Sequence, residues 1–288
     1  MKIALVFDHE RPDTVGIYFA RALQALGIAY DHWWLRDGAR IPRAYDLYLR
    51  IDHGDYRRDL PAELEPKIFY AVDTHLPGPW KGIRRAARRY ALVCCAHRRG
   101  AGQLSNGVWV PLGCDSQLHG RQPGSRDLDL AFVGTEGGIP RKIYLQALRE
   151  RYPNSWLQDA PHTDMGTIYS RARIGFNYSI RDDVNMRVFE ILASGTLLLT
   201  NRLSHDELEC LGLREGEHYV AYRSPGELID LIAYYLAHPT EREGIAAAGM
   251  AVALERHTYA HRVRQIIALV RERLKIVVPG VHVEAAAV

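Results

Sequence analysis

Lysine is scarce in this chain: it stands only at positions 2, 67, 81, 142 and 275 of 288 residues, so arginine carries nearly all the positive charge. The formal net charge is only +3, too small an excess for a nucleic-acid binder. Cysteine is scarce too. Cys94, Cys95, Cys114 and Cys210 show no Cys-x-x-Cys or Cys/His metal spacing, which argues against a structural zinc. Cys94 and Cys95 are adjacent inside an apolar run, as buried thiols are. No apolar run approaches ~18 residues and no signal peptide is evident, so the expectation is a cytoplasmic protein that does not span a membrane. Internal repeats and low-complexity segments are absent as well.

What is present is a soluble globular composition, 47% hydrophobic and 25% charged. The length suits two domains of ~100–150 residues each. Apolar strand candidates fall at 2–7, 29–34, 46–51, 67–72, 91–96 and 108–112. Helical periodicity appears at 14–26, with Ile17, Ala20, Leu23 and Leu26 on one face, and at 82–90. The stretch 116–126, rich in Gly, Gln, Arg and Pro, has no period and reads as an interdomain linker. Strands then resume at 129–133, 155–158, 174–178 and 219–222, with helices at 141–151, 164–172, 225–237, 241–253 and 259–274. Residues 279–288 read as a frayed tail. Strands alternating with helices imply right-handed βαβ units and parallel sheets, hence an α/β protein of two Rossmann-like domains.

The most informative stretch is 185–201. Val184, Val188, Ile191 and Leu192 recur at helical spacing, Gly195 stops the helix, and Leu197-Leu198-Leu199 reads as a buried parallel strand. Arg187 and Glu190, three apart, share another face. Near the mouth of a parallel sheet such a charged pair suits a nucleotide site; elsewhere it is a solvated helix face.

These residues resemble the donor-site signature of the group 1 glycosyltransferases of the GT-B fold, in particular the CgeB-like, spore-maturation branch. Asp183, Asn185, Arg187, Phe189, Glu190 and Gly195 match its Asp-x-Asn-x-Arg-x-Phe-Glu pattern and the turn after it. Asp129-Leu130-Ala131-Phe132-Val133-Gly134-Thr135 with Arg141, Val110 to Asp115, and His257-Thr258-Tyr259 with His261-Arg262 resemble three further family segments. The likeness runs from about 107 to 272 and is weak before that. It implies two parallel-sheet domains facing across a cleft: an acceptor-side domain at 1–118, a nucleotide-sugar donor domain at 119–258, and a last helix at 259–276 packing back toward the first domain.

On this reading Glu190 accepts the ribose hydroxyls, the role of the matching glutamate in the family. Arg187 and Arg141 suit the diphosphate, since a guanidinium fork binds oxygens bidentately and offsets charge on a leaving group; Lys142 is a substitute. The amides of Gly134 and Thr135 end a strand and face phosphate, or else form a plain turn. Asn185 joins the donor set through the same pattern. Group 1 enzymes often carry Glu-x7-Glu, but eight residues before Glu190 stands the shorter Asp182. Asp183 has the spacing to hold Arg187 in place.

On the acceptor side, Asp8, His9 and Gly16 follow the first strand, in a loop that is not Gly-x-Gly-x-x-Gly. Asp73 and His75 follow a later strand and are candidates for orienting or deprotonating the acceptor; a capping Asp and a surface His fit the same residues. The function implied is metal-independent transfer of a sugar from a nucleotide diphosphate sugar, with retention, needing no cofactor besides that donor. The acceptor is unidentified: small molecule, glycan or protein. Arg84, Arg85, Arg88 and Arg89 form a basic helix face that is solvated or meets anionic lipid or an acidic acceptor. The alternatives are a nucleotide-sugar epimerase or hydrolase of similar fold, and a non-catalytic nucleotide-sugar-binding protein.

Overall fold

Each apolar run in the first hundred residues becomes a strand of one parallel sheet. In chain order the elements are β1 (Lys2–Val6), α1 (Val15–Ala25), β2 (Ala29–Trp33), β3 (Leu47–Ile51), β4 (Lys67–Ala71), α2 (Pro77–Ala87), β5 (Leu92–Cys95), α3 (Arg98–Ala101) and β6 (Gly107–Trp109). The strand order is β2-β1-β3-β4-β5-β6, parallel throughout. β3, β4 and β5 are buried at every position, as expected for strands covered on both faces. The structure is a computed structural model and describes residues 1–8 and 14–276.

α2 corrects the expected 82–90 helix. It starts at Pro77, where proline's missing N–H and fixed φ suit the first helical position, and it ends at Ala87. Ile83, Ala86 and Ala87 pack into a core with Val6, Tyr48, Phe69 and Val93. One charged side chain crosses that core. Arg50 of β3 is fully buried, donates to Asp59 Oδ1 at 2.8 Å and to the Asp55 carbonyl at 2.6 Å, and lies 4.6 Å from the Phe69 ring centroid.

The second half builds another parallel sheet. Its elements are α4 (Ser116–His119), β7 (Leu128–Val133), α5 (Arg141–Arg151), β8 (Trp156–Gln158), α6 (Met165–Arg171), β9 (Ala172–Asn177), α7 (Met186–Ala193), β10 (Leu197–Asn201), α8 (Glu207–Cys210), β11 (Val220–Tyr222), α9 (Pro225–Ala237) and α10 (Pro239–Arg256). The strand order is β11-β10-β9-β7-β8. By contacts the chain divides into two units, 1–112 with the segment from Tyr259 onward, and Gly113–Thr258. The final helix, α11 (Tyr259–Leu274), belongs to the first unit. Tyr259 stacks on Tyr18 at 5.2 Å, and the Arg262 guanidinium donates to the Leu112 carbonyl at 3.0 Å.

The stretch 116–126 lies inside the second unit. α4 forms because the Asp115 carboxylate accepts the Gln117 and Leu118 amides, capping a turn too short to show a period. Arg126 then ties the stretch to the sheet, donating to the Ala172 carbonyl at 2.7 Å and to Glu243 at 3.0 Å. α7 begins at Met186, so Val184 is buried just ahead of the helix rather than on its face. It closes in a Schellman turn. Gly195 has φ +66°, its N–H donates to Leu192, and the Thr196 N–H donates to Ile191. That turn launches β10, whose leucines are fully buried. Among the described residues no helix is long and apolar enough to cross a membrane. His9 and residues 279–288 lie outside the described residues.

Candidate functional site

Two arginines from distant parts of the second unit meet at one aromatic ring. Arg187, in the first turn of α7, donates from Nε to the Val133 carbonyl at 3.0 Å and from Nη1 to Asn177 Oδ1 at 3.1 Å. Asn177 is fixed in turn, its Nδ2 donating to Thr200 Oγ1 at 3.0 Å. Arg141, opening α5, donates from Nε to the Glu136 carbonyl at 3.2 Å. The guanidinium carbons of Arg187 and Arg141 lie 4.2 and 5.7 Å from the Phe132 ring centroid. Burial lowers the Arg141 pKa to about 10, aided by the charge of Arg187 and opposed by the Asp183 carboxylate. Among the described residues, no carboxylate stands within ion-pair distance of either guanidinium.

Glycines make room for both arginines. A Cβ on Gly134 would stand 2.6 Å from Arg187 Nη2, and one on Gly137 would stand 2.5 Å from Arg141 Nη2. Both have positive φ, +137° and +65°. The Gly134 amide donates to the Gln158 carbonyl at 3.4 Å, so it continues the sheet ladder and does not face open space as expected. Thr135 is exposed beside it. Asn185 is the N-cap residue of α7; its Nδ2 donates to Ser179 Oγ at 3.2 Å and its side chain does not cap the helix.

Glu190 sits one turn further along α7 and is 2% exposed. His119 Nε2 lies 3.9 Å from its Oε1. His119 Nδ1 accepts the Asp115 N–H at 3.0 Å, so the neutral ring carries its proton on Nε2, toward the carboxylate. The Tyr169 hydroxyl feels the charges of both Arg187 and this carboxylate. It accepts the Val133 N–H at 3.0 Å, and burial pushes its pKa well up, with Arg187 lowering it and Glu190 raising it. Asp182, by contrast, is engaged elsewhere. It has φ +59°, and its carboxylate accepts the Ser204 N–H at 2.8 Å and the Ser204 hydroxyl. The Arg187 guanidinium is oriented by Val133 and Asn177, in place of the expected tether to Asp183, whose Oδ1 accepts the Arg181 N–H at 3.4 Å.

In the first unit, Asp8, Asp73 and His75 all lie beyond the C-terminal ends of sheet strands, where α/β proteins bind ligands. Asp8 Oδ1 accepts the Leu35 N–H at 2.7 Å, and Oδ2 lies 3.3 Å from His53 Nε2. The His75 ring meets His97 edge to face at 4.4 Å. Asp52 holds the loop carrying Asp73, its Oδ2 accepting the Val72 and Asp73 amides at 3.0 and 3.4 Å. Gly16 has another use than the one expected. A Cβ there would stand 2.3 Å from the Phe7 ring, so it is a side chain that approaches this glycine. His53, His97 and Asp52 were missed by sequence reasoning, as were Asn177, His119 and Tyr169 in the second unit. His53, His97, Asp52 and Asn177 share a readable signal, a polar residue ending or following an apolar strand. His119 and Tyr169 have none, because their role depends on tertiary contact.

Two Rossmann-like parallel-sheet units, each built from strands alternating with helices, are those of the GT-B fold. The glycosyl transferase-like family model matches residues 121–268, just over half of the chain, and the chain belongs to that family. Among solved structures the chain is similar to HepE of Anabaena, captured with UDP and glucose, at 13% identity and TM-score 0.66, covering 94% of this chain and 100% of that one. Sucrose-phosphate synthase from Thermosynechococcus elongatus is similar at 12% identity and TM-score 0.63, covering 96% and 99%. The β-glucosyltransferase of phage T4 is similar at 14% identity and TM-score 0.60, covering 95% and 99%. Identities this low carry the fold alone. Comparison with curated protein sequences gives no match.

Proposed function

We propose that this glycosyltransferase moves a sugar from a uridine diphosphate sugar to an acceptor hydroxyl, within the CgeB-like branch that its Asn-x-Arg-x-Phe-Glu signature resembles. The observation that carries the reading is the pair Arg141 and Arg187. Two adjacent guanidiniums, without a carboxylate partner among the described residues and turned to the same ring, match the charge and fork geometry of a diphosphate. HepE, similar in fold, was solved with UDP-glucose, and this supports uridine as the base.

In the reaction the bond from the sugar anomeric carbon to the diphosphate breaks and UDP leaves with the electron pair. A new bond forms to the acceptor oxygen, whose proton passes to a base. The arginines meet the negative charge that grows on the leaving diphosphate, where fixed charges contribute most to catalysis. They thereby fill the part that a divalent cation fills in other transferases, and transfer proceeds with retention and without added metal. Glu190 accepts the ribose hydroxyls, positioned by His119. Asp73 and His75 serve the acceptor from the first unit's sheet edge.

Calorimetric titration with UDP tests the donor site: micromolar binding that Arg187→Ala weakens supports the reading, and absence of UDP binding overturns it. UDP release from UDP-glucose only when an acceptor is added, unaffected by EDTA, separates transfer from hydrolysis or epimerisation. The anomeric configuration of the product, read by proton NMR, tests retention.

A further inference from the structure

From Thr74 to Cys114 the chain contains no aspartate or glutamate, although the average density would place about five acids in those 41 residues. The same segment carries seven lysines and arginines. Four of them, Lys81, Arg84, Arg85 and Arg88, lie exposed on or just after α2, and Arg99 is exposed on α3. None of these five forms an ion pair among the described residues; within the run, Arg89 pairs with Asp59. The attraction of cations to a helix C-terminus accounts for part of the run, at a few tenths of a kcal/mol each. It gives no reason for excluding acids from neighbouring turns, where ion pairs with these arginines would stabilise the helix further.

The position of the stripe matters as well. α2 starts two residues after His75, at the strand end assigned to the acceptor, and its cations recur over about 10 Å of helix from Lys81 to Arg88. An extended ligand ending at that sheet edge would meet successive positive charges along the helix. The face offers no large exposed apolar side chain to insert into a bilayer: among the described residues the exposed large hydrophobics, Ile139, Ile143 and Tyr234, are all in the second unit. Nor does it offer the exposed aromatic platforms that single-stranded nucleic acids stack on, since Tyr90 is buried and Trp80 is packed against the core.

We infer that the acceptor is an anionic glycan, a chain bearing carboxylate or sulfate-like groups, which lies along α2 with its growing end at the edge that holds Asp73 and His75. This rests on the reading of the first unit as the acceptor side.

The test is fluorescence anisotropy of labelled oligogalacturonate and of a heparin oligosaccharide with the full chain, in the absence of donor. Binding should weaken at least about tenfold between 50 and 200 mM salt, since screening removes charge–charge attraction. Arg84→Glu with Arg85→Glu and Arg88→Glu should weaken it at least about tenfold more, with UDP affinity unchanged. The milder pair Lys81→Gln and Arg88→Gln should lie between, and it keeps the test decisive where the triple variant fails to fold. Glycan binding that survives these substitutions, or is absent while UDP still binds, overturns the inference. So does tighter binding to a single-stranded oligonucleotide or to phosphatidylglycerol vesicles. Failure of UDP to bind, with glycan binding intact, would instead sink the donor reading.

Discussion

Arg141 and Arg187 hold their guanidiniums against the same Phe132 ring, although 46 residues separate them in sequence. Their mutual repulsion adds to burial in bringing Arg141 down to about 10. Between pH 10 and the ordinary guanidinium value, the unfolded chain therefore holds a proton that the folded one has lost. Stability rises with pH across that window, and below it the burden of the buried charge is fully present. Arg141→Gln should consequently raise the melting temperature of the ligand-free protein at pH 7. It should also weaken UDP binding by about 1.5–3 kcal/mol, the usual worth of a hydrogen bond to a charged group. Thermal melts with and without UDP check both. A lower melting temperature without ligand would show that Arg141 is a structural prop.

The glycines beside these arginines allow a controlled comparison. Gly134→Ala would bring a Cβ within 2.6 Å of Arg187 Nη2, at φ +137°. Gly216→Ala would be strained in a similar way, at φ +80°, with nothing within 4 Å of its Cβ. Both should lose about 1–3 kcal/mol of stability to backbone strain. Only Gly134→Ala should also weaken UDP binding, because it alone displaces a guanidinium. Equal UDP affinities for the two variants would remove Gly134 from the donor site.

The sheet strands and α7 were legible because an apolar run without interruption can only be covered on both faces, and because Gly195 marks a turn that needs a left-handed residue. α2 was misplaced at its start, since Pro77-Gly78-Pro79 reads as a breaker until the first helical turn is seen to tolerate it. α4 was invisible because one turn carries no period. At the site, Arg187 and Arg141 could be named from residue chemistry. Their support could not: Asn177 holds Arg187 from the end of the preceding strand, and the Val133 carbonyl reaches it only because β7 and β9 are neighbours in the sheet. Strand order is a property of the fold, and no local pattern encodes it.

Glu190 and the arginines should separate when the ligand is cut into parts. Glu190→Ala is expected to weaken UDP binding by about 1.5–3 kcal/mol through loss of the bonds to the ribose. Pyrophosphate has no ribose, and its affinity should not change. His119→Ala should produce a smaller loss with UDP alone, since it acts through Glu190. Calorimetry with both ligands decides the matter: equal losses for UDP and pyrophosphate would make Glu190 a structural carboxylate of α7.

Asp59 answers a fully buried guanidinium, that of Arg50, and also pairs with Arg89. Removing it leaves a charge in the core of the first unit without its ion-pair partner, held by the Asp55 carbonyl, the Tyr90 hydroxyl, the Phe69 ring and the field of Asp52. Asp59→Ala should destabilise by about 3–5 kcal/mol, the cost typical of an orphaned buried ion. Urea denaturation should show it as a lower midpoint. A loss under about 1 kcal/mol would mean that water reaches Arg50 once Asp59 is gone.

The acceptor side turns on His75. Its ring lies at the C-terminal edge of β4, against His97, on a loop that Asp52 fixes through the Val72 and Asp73 amides. A side chain so placed can take the proton from an acceptor hydroxyl as the new glycosidic bond forms. His75→Ala should then retain UDP affinity, because the arginines and Glu190 belong to the other unit. Transfer should fall by about 10²–10⁴-fold, the typical effect of removing a positioned acid–base group. His75→Gln, which keeps hydrogen bonding but cannot accept the proton at neutral pH, should be nearly as slow. The Michaelis constant for the donor should barely move in either variant. Should His75→Gln instead transfer at the normal rate, His75 only positions the acceptor, and the base falls to Asp73. Asp73→Asn would then be the slow variant, measured in the same assay.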